Sequence, residues 1–297
     1  MFNSFSREIA CPKRQVVYNF EQMKTLIDKN NGKTNVFTTI HSFKQTQIKE
    51  TYDGFNYQVC DYNTAIVDKL FFDFANDNCY ENVIKMHKYL MDRNIKHAIN
   101  CSGRKYHLYV FVKNSGVCHH LKDAVYNAQV KICQDLNLTY GQENHNTKDN
   151  PDIDSKLMGN LAGLTRIPNT WNPVAQRFCI RLNQKMLESG HETILKFAEK
   201  QQYTNELFVT NYLDLTEYDI PRIEVFNQTT NFGIDIPELK DYEVSEEGFY
   251  PCVQKMINDG GYSNLFNCAI WLRDKGFTYQ EADAIFKKYL KGKHRRT

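Results

Sequence analysis

Apolar positions fall along the chain either in short runs or at helical spacing. Residues Ala65 to Phe74 (AIVDKLFFDF) are apolar and β-prone, and they end at a turn-like Asn76-Asp77-Asn78. From Tyr80 the spacing turns helical, with Val83, Met86, Leu90 and Met91 on one side. Asn78, followed three residues on by Glu81, is a capping-box pattern that predicts where this helix opens. The stretch His97 to Asn100 leads to a turn at Ser102-Gly103 and then to a strand, His107 to Val112, rich in β-branched and aromatic residues. A second amphipathic helix is predicted from Leu121 to Leu136, with Ala124, Val125, Ala128, Ile132 and Leu136 on one side. Tyr140 to Asp152 is polar and loop-like. Arg166 to Asn172 is irregular, punctuated by Pro168 and Pro173, and leads into Phe178 to Leu182. Strand, helix, strand, helix and strand in succession predict an α/β or α+β arrangement with helices packed on a sheet.

Further along, Pro221, Pro237 and an acidic run mark a linker, set here at residues 226–247, between a main domain (1–225) and a small helical module (248–297). Within the module, Pro251 to Ile257 and Leu265 to Leu272 read as short helices. Gly276 follows Lys275 as a C-cap, and Thr278 with Glu281 opens a third helix to Leu290. The chain then ends in a basic cluster, Lys291 to Arg296. No internal repeat or low-complexity tract interrupts this order.

Composition narrows the picture only a little. Of 297 residues, 41% are hydrophobic and 24% charged, which excludes wholesale disorder. Lys+Arg 37 against Asp+Glu 35 gives +2, so any nucleic acid must be held by local clusters and not by a global field. The nine cysteines are an odd count at irregular spacings, and no apolar h-region opens the chain, which argues against a secreted disulfide scaffold. The longest purely apolar runs, such as Leu108 to Val112, fall far short of a membrane span. These features predict a soluble protein of a reducing compartment, the cytoplasm, with no membrane partner.

Three segments carry candidate chemistry. In LFFDFAND, Asp73 sits at the end of an apolar strand, where a buried carboxylate is costly without a positive partner; it also fits a turn aspartate capping the next helix. In CSGRKYHLYVFV, Ser102 and Gly103 form a turn whose N–H groups suit phosphate oxygens, and Arg104, Lys105 and His107 add donors and charge. A solvent-facing basic hairpin would look the same. In IDSKLMGNLAGLTRIPNTWN, Asp154 precedes a turn and Arg166 precedes a loop holding Asn169, Thr170 and Asn172; a loop crossing the core with Asp154 as a cap is the plainer account.

Taken in order, these segments resemble the archaeo-eukaryotic primase superfamily, the small catalytic primase subunit and the primase-polymerases of plasmids and viruses. The likeness runs over roughly residues 60 to 185, through an acidic strand end, S-G-R-x-x-H-L before a strand, and I-D followed by R-I-P-N-T. It implies an α+β primase catalytic fold with an RNA-recognition-like sheet, completed by an N-terminal α/β part and a small C-terminal helical bundle. It also implies a DNA primase or DNA polymerase that joins nucleoside triphosphates on a DNA template through two divalent ions, Mg²⁺ or Mn²⁺. Asp73 and Asp154 would be ligands. Ser102, Arg104, Lys105, His107 and Arg166 would contact the incoming nucleotide or template phosphate, with Asn169, Trp171 and Asn172 close to nucleotide or template. A helicase or another replication protein is the kind of partner such an enzyme works with, in the cytoplasm or nucleoid of a host if the source is a plasmid or virus.

One departure matters. The family's first motif has two acids two residues apart, facing one way along a strand and roughly 7 Å apart. Here the second position is Ala75. Asp77 on a continuing strand would lie roughly 13 Å from Asp73, too far to replace it. Ala75 is either an introduced substitution that abolishes catalysis, which the intact Ser-Arg-His and Asp-Arg segments favour, or the mark of a naturally weakened copy. The rival readings are a non-catalytic DNA-binding module on the same fold, a gap-filling repair polymerase, and an unrelated phosphate-binding protein in which Asp73 and Asp154 stand far apart.

The remaining metal signals are poor. Cys118, His119 and His120 with Cys133 or His145 lack the paired spacing of a structural zinc site, and Cys133 reads better as a small buried hydrophobe. FYPC at Phe249 to Cys252 is similar to the helical region of primase large subunits, where such a cysteine can ligate an iron–sulfur cluster. That cluster needs four thiolates, and only Cys268 follows Cys252, so it would require a longer protein.

Overall fold

The computed structural model describes residues 2, 4–50, 56–74, 76–141, 151–204 and 206–222. Contacts divide the chain at Glu224/Val225. The expected linker at 226–247 and the helical module at 248–297, with Cys252 and Cys268, lie outside the described residues, as do Ala75 and His145.

In chain order the principal elements are β1 (Arg7–Ala10), β2 (Arg14–Val17), α1 (Phe20–Asn30), β3 (Phe37–Thr39), β4 (Lys69–Phe74), α2 (Cys79–Asp92), β5 (His97–Cys101), β6 (Tyr106–Lys113) and α3 (Leu121–Asp135). After these come β7 (Tyr140–Gly141), β8 (Ile153–Asp154), β9 (Leu164–Arg166), β10 (Ile180–Arg181) and β11 (Leu213–Asp214). They build two sheets. The central, seven-stranded one has the order β7-β8-β4-β6-β5-β10, with β11 also pairing to β6; the second, four-stranded, has the order β9-β3-β1-β2. The α+β class expected from the sequence is the class found.

Alternation along β4, β5 and β6 sends side chains to opposite faces, and each face has its own core. Leu70, Phe72, Leu108, Val110 and Ile99 pack under α2 and α3, against Val83, Met86, Leu90, Ala128 and Ile132. Phe71, Tyr109, Ala98 and Phe111 point the other way and meet Ile9 and Val17 of the N-terminal sheet, Met23 of α1, and Val36 and Ile40 on either side of β3. Both faces of the central sheet are therefore covered over most of its area. Among the described residues no helix is long and apolar enough to cross a membrane.

Two local expectations are corrected. The capping box at Asn78 does not form: α2 begins there, but Asn78 has ψ 20 and its side chain makes no cap hydrogen bond. That backbone lies outside the extended region from which an N-cap side chain reaches the first turn. The Arg166 to Asn172 stretch is not wholly irregular, because Leu164–Arg166 adds as β9 to the edge of β3 with Arg166 opposite Phe37.

Candidate functional site

One polar stripe crosses the central sheet. His107 on β6 stands opposite Asp73 on β4, Asn100 on β5 stands opposite His107, and Arg181 on β10 opposite Asn100. On the other side of β4, Ile153 pairs with Phe74 in antiparallel register, which brings Asp154 to the position opposite Asp73. Directly opposed residues project from the same face with Cβ atoms about 4.5–5.5 Å apart. Asp154, Asp73, His107, Asn100 and Arg181 thus share one face, although 81 residues separate Asp73 from Asp154 in the chain (154 − 73). Two residues along the strands, Phe71, Tyr109 and Ala98 are already core. At Asp73 and His107 the stripe borders an open cleft, whereas Asn100 and Arg181 are buried.

Phe37, Asp73, Ser102, Arg104, Lys105, His107, Arg166 and Asn172 line the cleft. Arg104, Lys105 and Arg166 outnumber the one carboxylate in this lining, so the cleft favours a polyanion. Arg166 is buried and held from three sides. Its guanidinium lies 4.7 Å from the Phe37 ring centroid, donates to the Trp171 carbonyl at 3.1 Å, and donates to Asn35 Oδ1 at 2.9 Å. Burial, assisted by the Arg166 charge, pushes His107 down to about 3. Its Nε2 lies 3.7 Å from Asp73 Oδ1, and at neutral pH this contact is between a neutral ring and a carboxylate and is not an ion pair.

The hairpin turn between β5 and β6 is fixed from behind. Ser102 N and Oγ both donate to the Lys105 carbonyl, at 2.8 and 3.1 Å, and Asn172 Nδ2 donates to the Ser102 carbonyl at 2.8 Å. Asn172 Oδ1 in turn accepts from the backbone of Val174 and Ala175. Gly103 has φ +107, and a Cβ there would lie 3.0 Å from Ala175 Cβ, so this turn needs glycine. The expectation that Ser102 offers its N–H to phosphate is corrected, because closing the turn consumes it. What the turn presents is the side chains of Arg104, which is exposed, and Lys105.

Asp154 has a structural task as well as its place in the stripe. Its Oδ1 accepts from Lys156 N at 3.0 Å and caps a short 3₁₀ turn. Asp73 lines the cleft and Asp154 stands next to Asp73 in strand register, so these are the two carboxylates here that could serve as oxygen ligands to a hard divalent ion. Among the described residues no group of three or more His, Cys, Asp or Glu side chains converges as a self-sufficient metal site. Of the zinc candidates, Cys133 is buried in the core on α3 and pushed up to about 12, while Cys118, His119 and His120 lie just before α3, where the backbone N–H groups of His119 and His120 donate to Asp219 at 2.7 Å each.

Of the three loop residues expected near nucleotide or template, only Asn172 lines the cleft. Asn169 is tied up in its loop, its carbonyl accepting from Asn31 and Gln201 and its Oδ1 from Gln202 N. Trp171 packs edge-on against Phe178 at 5.0 Å, and its backbone N–H donates to Asn31. Phe37, Asn100 and Arg181 escaped the sequence reading. The last two left a usable signal, a polar residue at an inward position of an apolar strand (HAINC and CIRL). Phe37 left none, since its place in the wall comes only from pairing with β9.

No protein-family model matches this chain, and no curated protein does. Among solved structures it is similar to the polymerase domain from Mycobacterium tuberculosis ligase D in complex with DNA, at 12% identity and a TM-score of 0.40. That match covers 65% of this chain and 70% of the other.

Proposed function

We propose that this chain is a metal-dependent nucleotidyl transferase of the primase-polymerase kind, joining nucleotides on a DNA template. The observation that carries the reading is that Asp73 and His107, paired across the sheet, line one cleft with Arg104, Lys105 and Arg166, with Asp154 next to Asp73 in strand register. The three cations neutralise a triphosphate, and Phe37 gives the wall an aromatic surface on which a base can stack. Asp73 and Asp154 are the residues that would hold Mg²⁺ or Mn²⁺, which when bound supplies Lewis-acid stabilisation to phosphoryl transfer. His107, neutral at working pH, contributes hydrogen bonding without adding charge.

Ala75 favours a second reading, a module that retains DNA and nucleotide without joining them. It occupies the position at which the resembling enzymes carry a second acid. One assay separates the two: extension of a primed DNA template with Mn²⁺ and nucleoside triphosphates, using the protein with Ala75 and its Ala75→Asp variant. The transferase reading expects Ala75→Asp to add nucleotides, and Asp73→Asn in that background to lower the rate by about 10²-fold or more. Retention of DNA by an Ala75→Asp protein that adds no nucleotide would make the binding module the correct reading. Omitting the primer then distinguishes an enzyme that starts strands from one that only extends or fills them.

A further inference from the structure

Behind His107 runs a second set of polar side chains, all buried, to which the nucleotide-binding reading gives no task. Thr165 Oγ1 lies 3.4 Å from His107 Nδ1, and Tyr109 Oη lies 2.6 Å from Thr165 Oγ1. Asn100 Nδ2 lies 3.4 Å from Tyr109 Oη, and Arg181 Nε lies 2.5 Å from Asn100 Oδ1. Tyr109 and Asn100 are wholly inaccessible, and Thr165 and Arg181 nearly so.

The direction of this chain of hydrogen bonds follows from its far end. A guanidinium only donates, so the Asn100 atom facing Arg181 is the amide oxygen. The Asn100 nitrogen, also only a donor, then faces Tyr109, whose oxygen accepts. Tyr109 keeps one proton to place, and among the described residues Thr165 Oγ1 is its acceptor; the opposite sense would bury a phenolic proton with no partner, which is costly. Having accepted from Tyr109, Thr165 directs its own proton to the acceptor within reach, His107 Nδ1. Nδ1 therefore carries a lone pair, and the ring proton sits on Nε2, on the side of Asp73.

We propose that Arg181, Asn100, Tyr109 and Thr165 are positioning residues that hold His107 in the tautomer protonated at Nε2. The cleft then meets a fixed hydrogen-bond donor and neither a base nor a metal-binding lone pair. The lock is a property of the folded chain. Its consequence for catalysis rests on the nucleotidyl-transfer reading: an anionic oxygen, of Asp73 or of a phosphate, is what Nε2–H can serve, and any divalent ion is left to the carboxylates.

The test is a long-range ¹H–¹⁵N spectrum of the full chain with ¹⁵N-labelled histidine, with His107 assigned by the signals lost in His107→Gln. The expected result is a single tautomer, with Nε2 in the pyrrole-type range and Nδ1 in the pyridine-type range. Thr165→Val keeps the shape and removes the hydroxyl, so the single-tautomer pattern should disappear, and Thr165→Ser should restore it. Tyr109→Phe reaches the same loss by another route, because Thr165 can then accept from Nδ1–H. In Ala75→Asp protein that extends a primer, Thr165→Val should raise the nucleotide KM about tenfold with a smaller effect on kcat.

A wild-type proton on Nδ1, a doubly protonated ring, or a pattern unchanged by both Thr165→Val and Tyr109→Phe overturns the lock, even in a protein that adds nucleotides. A locked tautomer in an Ala75→Asp protein that adds none supports the lock and counts against the transferase reading instead.

Discussion

The carboxylate of Asp154 accepts the Lys156 N–H, and the residue stands next to Asp73 in strand register, so a cap and a proposed metal ligand meet in a single residue. The two tasks can be separated. Asparagine caps about as well as aspartate, but it is a poor partner for a hard divalent ion. Asp154→Asn is expected to leave the urea midpoint nearly unchanged and to abolish metal-dependent incorporation by Ala75→Asp protein. Asp154→Ala should lose both, with about 1 kcal/mol of stability gone. If Asp154→Asn retains activity, capping is all that the residue does. At this scale the sequence singled out residues that the fold brings to one cleft: Asp73, Ser102, Arg104, Lys105, His107, Arg166 and Asn172 line it. Asn169 and Trp171 were not separable from Asn172 in the sequence, because adjacent residues of one loop look alike until the loop is folded.

Among elements, the short β8 leaves β4 with little partner on one side, since only Ile153↔Phe74 pairs there. Gln129 on α3 fills the gap. Its Nε2 donates to the Phe71 carbonyl at 2.6 Å, and its Oε1 accepts from Gly159 N at 2.8 Å, tying the middle of β4 to the turn after Asp154. Gln129→Leu would leave a buried carbonyl and a buried N–H unpaired, at about 1–3 kcal/mol each. The expected outcome is a clear fall in the urea midpoint with the m-value kept; a midpoint within experimental error of wild type would mean that water or another group satisfies both atoms. The long elements were readable: α2 and α3 carry enough turns to show their period, and β4 and β6 are apolar runs rich in β-branched and aromatic residues. The strands β7, β8 and β10, two residues each, carry no period at all and exist only through their neighbours. Sequence could therefore predict that Asp154 lies near a turn, but not that β8 aligns it with Asp73.

For the whole molecule, the two cores trap several imidazoles in neutral form. Burial pushes His41 down to about 3 and His97 to about 4, against an ordinary value near 6.5. Once unfolded, both take up protons near that ordinary value. The unfolded state then binds more protons as pH falls below 6.5, and stability is lost across that window. Unfolding free energies from urea titrations should be flat from pH 8 to 7 and then decline towards pH 5, with up to about three protons taken up on unfolding, because His107 is held low as well. A flat profile through pH 5 would show that these rings are protonated in the native state. The four-stranded sheet has a different consequence, in time. Its β3 edge is closed by β9, and Thr39 meets Leu164 only after 125 further residues have been made (164 − 39). At ordinary elongation rates a ribosome needs roughly 6–25 s for that length. For that interval the nascent chain carries an open β-edge able to template intermolecular pairing, so a chaperone that shields the first 40 residues during synthesis should raise the soluble yield.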